Sequence, residues 1–336
     1  MTYSVSLMGK SSSQTMYLRK MNSQLQDLHR QLSTQKKYDQ ISGFGTKAFQ
    51  VQDLRADVDR LGVYQENNKK VTTRMQMMMN SMDKMIETTQ GIQDSVLIQT
   101  RSGEVELSDI NNIANTGMRF MEDLLNTSDG SRYLFGGSAS QSKPMDALAN
   151  MEANFKAEID NWLDGSQSYA DMMNNIDNFT DAELGLNTDL SLSGKVTTKI
   201  SDGVDVDYTA LANEKGFKTV LKGIALAKAA KFPDVATDIG TEAEFHQMLD
   251  EVNGFLKSGV EEMRSTSFRL GSEYNLLKDM EDQNQNDIDL SQSLLSDMED
   301  ADPTDTVVKI QSMQTQLTSS YEVTRIMSQL SLVNYM

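Results

Sequence analysis

Two histidines, no cysteine and a surplus of carboxylates are the raw material for chemistry in this chain. His29 follows Leu28, and His246 follows Phe245, each on a helical pattern, which sets both beside an apolar stripe and not in a cleft. With no Cys and no second His nearby, neither nucleates a zinc set or a Ser-His-Asp arrangement. Asp202, Asp205 and Asp207 are spaced loosely like a calcium loop, but neither the spacing nor the twelfth position follows the EF-hand pattern. Their alternation with Val204, Val206 and Tyr208 assigns Asp205 and Asp207 to the solvated face of a strand. Glu261-Glu262 and Glu299-Asp300 lie in helical surroundings and read as solvated faces in preference to a general acid/base pair. No GxGxxG and no P-loop is present. Nothing here argues for an enzyme, and no catalytic residue, cofactor or metal site is expected.

The patterns that do stand out are structural. Leu18, Met21, Leu25, Leu28 and Leu32 repeat at 3-4-3-4 spacing, a narrow coiled-coil stripe. "SGFGT" (Ser42 to Thr46) interrupts it, because two glycines weaken a helix, and a second helix is expected from Thr46 with Val51, Leu54, Val58 and Leu61 in phase. After a stutter near Tyr64 the stripe resumes as Val71, Met75, Met78, Met82, Met85, Thr89, Ile92 and Val96. Its methionines suit either an ordinary core or an adaptable interface. "RSGE" (Arg101 to Glu104) marks a further break, and Ile110, Ile113, Gly117, Phe120 and Leu124 predict a shorter helix beyond it.

That helical region ends at "RYLFGG" (Arg132 to Gly137), where Tyr133, Leu134 and Phe135 are candidates to pin the helices and Gly136-Gly137 to turn the chain into an inserted domain. An ordinary helix stop with a local apolar contact has the same pattern. Met151, Phe155, Ile159 and Trp162 then predict an amphipathic helix, and the following "NNIDNFTDAELGLNTDL" has no clear period. Lys195 to Ile200 and Val204 to Tyr208 flank Ser201-Asp202-Gly203 as a β-hairpin, and Phe217, Val220, Leu221 and Ile224 mark another helix. Thr241 to Glu244 has the spacing of a capping box opening a stripe of Phe245, Met248, Val252, Leu256 and Met263. Asp302-Pro303-Thr304-Asp305 is a helix restart, and Ile310, Met313, Leu317, Val323, Met327, Leu330 and Val333 carry the chain to its end.

The fold class expected is mainly α: long coiled-coil-like helices from both termini packed together, with an inserted mixed α/β projecting domain. Residues 1–41 and 299–336 would form a terminal coiled-coil layer, 42–140 and 241–298 a helical core domain, and 141–240 the insert. A stripe of five apolar residues is too little to offset the backbone entropy of its own helix, so the two ends are expected to fold firmly only when neighbouring copies bury both stripes. The formal charge of -18 argues against a nucleic-acid partner and an anionic membrane. No apolar run reaches the roughly 18 residues of a membrane span. The opening "MTYSVSLMGKSSSQT" lacks the basic and apolar regions of a Sec signal, so export, if it occurs, takes another route.

Taken in order, "LHRQLSTQKKYD" (Leu28 to Asp39), "YQENNKKV" (Tyr64 to Val71), "RYLFGG", "LSDMEDADPTDTV" (Leu295 to Val307) and the ending "SQLSLVNYM" (Ser328 to Met336) resemble the flagellin superfamily. Within it, "YLFGG" and "LSLVNYM" look most like the type 3 hook-associated proteins of the hook-filament junction. "STQKKYDQISGFGTKAF" departs from the family, which usually has a Gly after Ser-Thr and an acidic segment. The resemblance implies a non-enzymatic axial subunit of the bacterial flagellum, exported unfolded through the type III channel to an extracellular location. It also implies a ring-like layer of self-associated copies, flagellin on the distal side, another hook-associated protein on the hook side, and an export chaperone on the C-terminal segment. Leu18, Met21, Leu25, Leu28 and Leu32 would pair antiparallel with the Ile310-to-Val333 stripe as the assembly interface, and Tyr133 to Gly137 would form the domain junction. The near alternative is flagellin itself. A coiled-coil signalling module, suggested by heptads such as "MIETTQGIQDSV", is the alternative from another class.

Overall fold

The computed structural model describes residues 2–102 and 106–333. It is 74% helical. Its helices are α1 (Thr2–Thr34), α2 (Ala48–Ser102), α3 (Leu107–Leu125), α4 (Leu148–Leu163), α5 (Tyr169–Asp177), α6 (Lys215–Ala229), α7 (Glu242–Glu299) and α8 (Pro303–Val333). Strands β1 (Thr197–Ser201) and β2 (Val204–Asp207) make one antiparallel pair. The chain forms two compact units, Met1–Gly62 with Gln285–Met336, and Val63–Asn284. The break read at Arg101 to Glu104 falls partly outside the described residues, as do Asn334, Tyr335 and Met336 at the end of "LSLVNYM".

In the first unit, α1 and α8 pack together. The helix expected from Thr46 starts instead at Ala48, after a 3-10 turn over Ile41–Lys47 in which Gly45 takes φ +57°. Tyr38 stacks edge-on against Phe44 with ring centroids 5.0 Å apart, so the glycine-containing segment is an ordered corner. Asp302 caps α8 as its type and position require, its carboxylate accepting from the backbone of Thr304 at 2.8 Å.

In the second unit every position of the Val71-to-Val96 stripe is buried, including Thr89, whose hydroxyl donates to the Met85 carbonyl at 2.7 Å. Here the methionines are core. The buried face of α3 differs from expectation: Ile113 and Phe120 are exposed, while Ile110, Ala114, Gly117, Met118, Met121, Leu124 and Leu125 are buried. Gly117 explains the rotation. A Cβ there would lie 2.3 Å from Ile92 Cδ1, so α3 approaches α2 along its smallest residue, and the larger neighbours Met118 and Met121 pack to the other side. α6 lies close against α7 for the same reason, since a Cβ on Gly259 would meet the Val220 backbone nitrogen at 2.9 Å.

α4 buries Met151, Phe155, Ile159 and Trp162 as its spacing demands. The aperiodic stretch beyond it contains α5, capped by Ser168, whose hydroxyl accepts from the Asp171 backbone at 3.1 Å. α7 opens with the capping box: the Glu244 carboxylate accepts from the Thr241 backbone at 3.0 Å, and the Thr241 hydroxyl accepts from the Glu244 backbone at 3.2 Å. The hairpin turns at Asp202-Gly203, Gly203 taking φ +80°, and the register slips between Lys199 and Ser201. That irregularity leaves the Ile200 carbonyl outside the ladder. Two buried asparagines use it: Asn68 Nδ2 from α2 donates to it at 3.2 Å and Asn284 Nδ2 from α7 at 3.0 Å.

Candidate functional site

Several of the acidic groups that might have done chemistry have structural partners, while Asp205 and Glu261 are exposed. Asp207 pairs with Lys195 at 2.9 Å, and Asp202 accepts from the Tyr64 hydroxyl at 3.0 Å. Glu262 pairs with Lys215 at 2.5 Å. His29 is exposed, and His246 Nε2 stands 3.8 Å from Glu242 one turn away on α7. Among the described residues no three His, Asp or Glu side chains converge to hold a metal ion, and no helix is long and apolar enough to cross a membrane.

Glu299-Asp300 is not a solvated face, which corrects the expectation for that pair. The Glu299 side chain is buried where α7 ends and accepts from Arg55 Nε at 2.7 Å and from Lys36 Nζ at 3.2 Å. Lys36 also reaches Asp300 at 2.6 Å. The backbone closes the same corner, Lys37 N donating to the Glu299 carbonyl at 2.7 Å and Ala301 N to the Gln35 carbonyl at 2.9 Å. Lys37 Nζ then covers the Asp297 carbonyl at 2.7 Å, a cation on the negative end of a helix. Burial alone would raise the Glu299 pKa, but the hydrogen bonds from Arg55 and Lys36 outweigh it and hold the carboxyl below its ordinary value. The hydrogen bond from Lys36 likewise lowers Asp300, and that to Asp300 raises Lys36. The sequence signal was available: Lys36-Lys37 and Glu299-Asp300 are opposite charges at the adjoining ends of the two stripes.

From this corner α1 and α8 run antiparallel. Met21, Ile310 and Leu317 are buried between them, and Leu18, Leu25, Leu28, Leu32 and Met313 are half-buried. Beyond Leu317 the seam passes to Ser320 and Thr324, which are half-buried, and Gln14 Nε2 donates to the Thr324 hydroxyl at 3.1 Å. Val323 and Met327 therefore turn outward and are 46% and 56% exposed. Ile326 is exposed beside them, whereas Tyr321, also exposed, accepts from Asn22 Nδ2 of α1 at 3.3 Å. The side chains of Leu330 and Val333 lie outside the described residues.

Tyr133 to Gly137 all lie in the second unit. Leu134 and Phe135 are buried, and Phe135 meets Phe217 of α6 edge-on with centroids 5.5 Å apart. The Tyr133 carbonyl accepts from Arg74 of α2 at 3.0 Å, and the Phe135 carbonyl accepts from Ala212 at 3.0 Å. Gly136 and Gly137 let the chain pass directly under the 193–211 segment: the Ser193 hydroxyl donates to the Gly136 carbonyl at 2.9 Å. Gly137 has φ +57°, and a Cβ on it would lie 2.4 Å from both Leu211 Cδ2 and Ser193 Oγ. The five residues thus join α2, α6 and the segments on either side of the hairpin.

Residues 5–140 match the family described as the bacterial flagellin N-terminal helical region. The match covers 136 of the chain's 336 residues, its N-terminal helical part. Among solved structures, this chain is similar to that of a proposed flagellar hook-associated protein from Vibrio parahaemolyticus. The likeness has a TM-score of 0.53 at 12% identity and covers 75% of this chain and 97% of that one. At that identity it is a likeness of fold. A search of curated protein sequences finds no significant match. The long helices from both termini packed together and the small two-stranded sheet make a flagellin-like fold.

Proposed function

We propose that this protein is a member of the flagellin superfamily that joins hook to filament, as a non-enzymatic subunit that assembles through its terminal helices. The observation that carries the assembly reading is the α1–α8 pair, which buries a short seam and leaves Val323, Ile326 and Met327 exposed on α8. An apolar row of this kind on an antiparallel pair suits contact with further copies. The junction assignment rests on "YLFGG" and "LSLVNYM" and is supported by the hook-associated role proposed for the Vibrio parahaemolyticus protein.

On this reading residues 1–41 and 299–336 make the inner axial layer, residues 42–140 and 241–298 the layer around it, and residues 141–240 the outward domain. Copies form a ring between another hook-associated protein and flagellin. The chain reaches the cell exterior unfolded through the type III channel, with a chaperone holding its C-terminal segment. A filament subunit is the second reading, favoured by the match of residues 5–140 to the flagellin N-terminal region. Immunogold electron microscopy of detached flagella, with an antibody against residues 141–240, separates the two. Gold confined to the hook-filament boundary supports the junction; gold along the filament makes the protein a flagellin; flagella without gold, with the epitope accessible, overturn both.

A further inference from the structure

The chain carries 23 methionines and no cysteine, so thioethers, not thiolates, are the groups that a peroxide meets. Their positions divide them. Met75, Met78, Met82, Met85, Met118 and Met121 lie in the core of the second unit, none more than 1% exposed. Met21 is 3% exposed within the α1–α8 seam. Among the described residues only Met16 and Met327 are exposed methionines, at 73% and 56%. An oxidant therefore reaches these two side chains without any opening of the fold. Met327 also stands one helical turn from Val323 and next to Ile326, in the apolar row that α8 leaves uncovered.

We propose that Met327 is an oxidation site that controls assembly, its sulfoxide keeping the chain from joining its neighbours. The inference rests on the reading of this side of α8 as an assembly surface. In the step, hydrogen peroxide transfers one oxygen to the thioether sulfur: the O–O bond breaks, an S–O bond forms, the sulfur gives up two electrons and the peroxide leaves as water. The thioether is apolar and repacks easily against a partner. The sulfoxide oxygen is a hydrogen-bond acceptor, and neither Val323 nor Ile326 beside it has a side-chain donor. Burying that oxygen against a neighbouring copy leaves it unpaired, which is costly. A sulfoxide reductase with a thiol reductant reverses the change. Once a neighbour covers α8 the side chain is shielded, so the oxidation acts before incorporation and not after it.

Peptide mapping by mass spectrometry and sedimentation velocity, both on the full chain under graded hydrogen peroxide, test it. Sulfoxide should form at Met16 and Met327 before any of the buried methionines from Met75 to Met121. The lowest dose that modifies Met327 should raise the protein concentration needed for association by ~10-fold or more, the loss of one buried Met contact. Met327→Leu should associate equally before and after that dose, whereas Met16→Leu should stay as sensitive as the unaltered chain. Methionine sulfoxide reductase with dithiothreitol should restore association of the oxidised chain. Undiminished association of chains bearing Met327 sulfoxide, or a loss in peroxide-treated Met327→Leu equal to that of the unaltered chain, overturns the proposal and leaves the α8 reading standing. An untreated chain that never associates, or normal association of the Val323→Asp, Met327→Asp double variant, overturns the α8 reading and this proposal with it.

Discussion

At the scale of single residues, backbone chemistry and close approach dominate. Gly137 combines a left-handed φ of +57° with two atoms 2.4 Å from where a Cβ would sit. Gly137→Ala is therefore expected to cost about 2–4 kcal/mol, the sum of left-handed strain and local overpacking, read from the urea midpoint. Gly130 has φ +91° but open space around it, so Gly130→Ala should incur only the strain, about 1–2 kcal/mol. Equal losses at the two positions would remove steric packing from the account of "YLFGG". Asn68 and Asn284 offer a different test, because both donate to the Ile200 carbonyl. Replacing either with Ala leaves that acceptor satisfied; replacing both orphans a buried carbonyl. The double variant should lose about 1–2 kcal/mol more than the sum of the singles in a double-mutant cycle, whereas simple additivity would mean the carbonyl finds another partner.

At the scale of elements, α8 divides its apolar residues between an inner and an outer side. In the assembled protein, where the seam is firmly folded, Leu317→Ala should cost about 2–4 kcal/mol because Leu317 is buried in the seam. Val323→Asp with Met327→Asp, both on exposed positions, should change monomer stability by no more than about 0.5 kcal/mol. The same pair should abolish self-association in sedimentation velocity; retained assembly would move the interface off α8. The corner that joins the helices sets a pH window. Glu299 and Asp300 have folded pKa values below their ordinary 4.5 and 3.8, so the stability they contribute is present above those values and lost as pH falls through the folded ones. Lys36, raised above 10.5, contributes below that value and loses its share as pH rises through its folded pKa. Protection factors of the α8 amides, corrected for the intrinsic exchange rate, should fall below about pH 4.5, and Glu299→Gln should flatten that acid limb. An identical acid limb in the variant would assign it to other carboxylates.

At the scale of the whole molecule, the two units differ in how much apolar surface each seam buries. The Val71-to-Val96 stripe is buried along its full length, whereas the α1–α8 pair fully buries Met21, Ile310 and Leu317. Local opening follows the number of buried contacts, so protection should be uneven. In the dilute monomer, amides from Met75 to Val96 should be the slowest to exchange and those of residues 12–34 and 303–327 orders of magnitude faster. Assembly should slow the latter group. Slow exchange in both groups before assembly would contradict terminal helices that need neighbours to fold firmly.

The sequence by itself determined the features that depend on local periodicity and backbone chemistry. The 3-4 spacing of Val71 to Val96 marks one helical side whatever it packs against, Thr241 and Glu244 cap each other, Asp302-Pro303 starts a helix, and Asp202-Gly203 turns a hairpin. The candidate assembly stripe was legible for the same reason as far as Leu317. Tertiary structure decided what local spacing leaves open. The buried side of α3 rotates from Ile113 and Phe120 to Ala114, Met118 and Met121 because Gly117 draws it against α2. Val323 and Met327 turn outward because Ser320 and Thr324 continue the seam. Glu299 becomes a buried acceptor because Arg55 and Lys36, distant in the chain, converge on it. Such outcomes depend on which surfaces come together over long separations, and no window along the chain contains both partners.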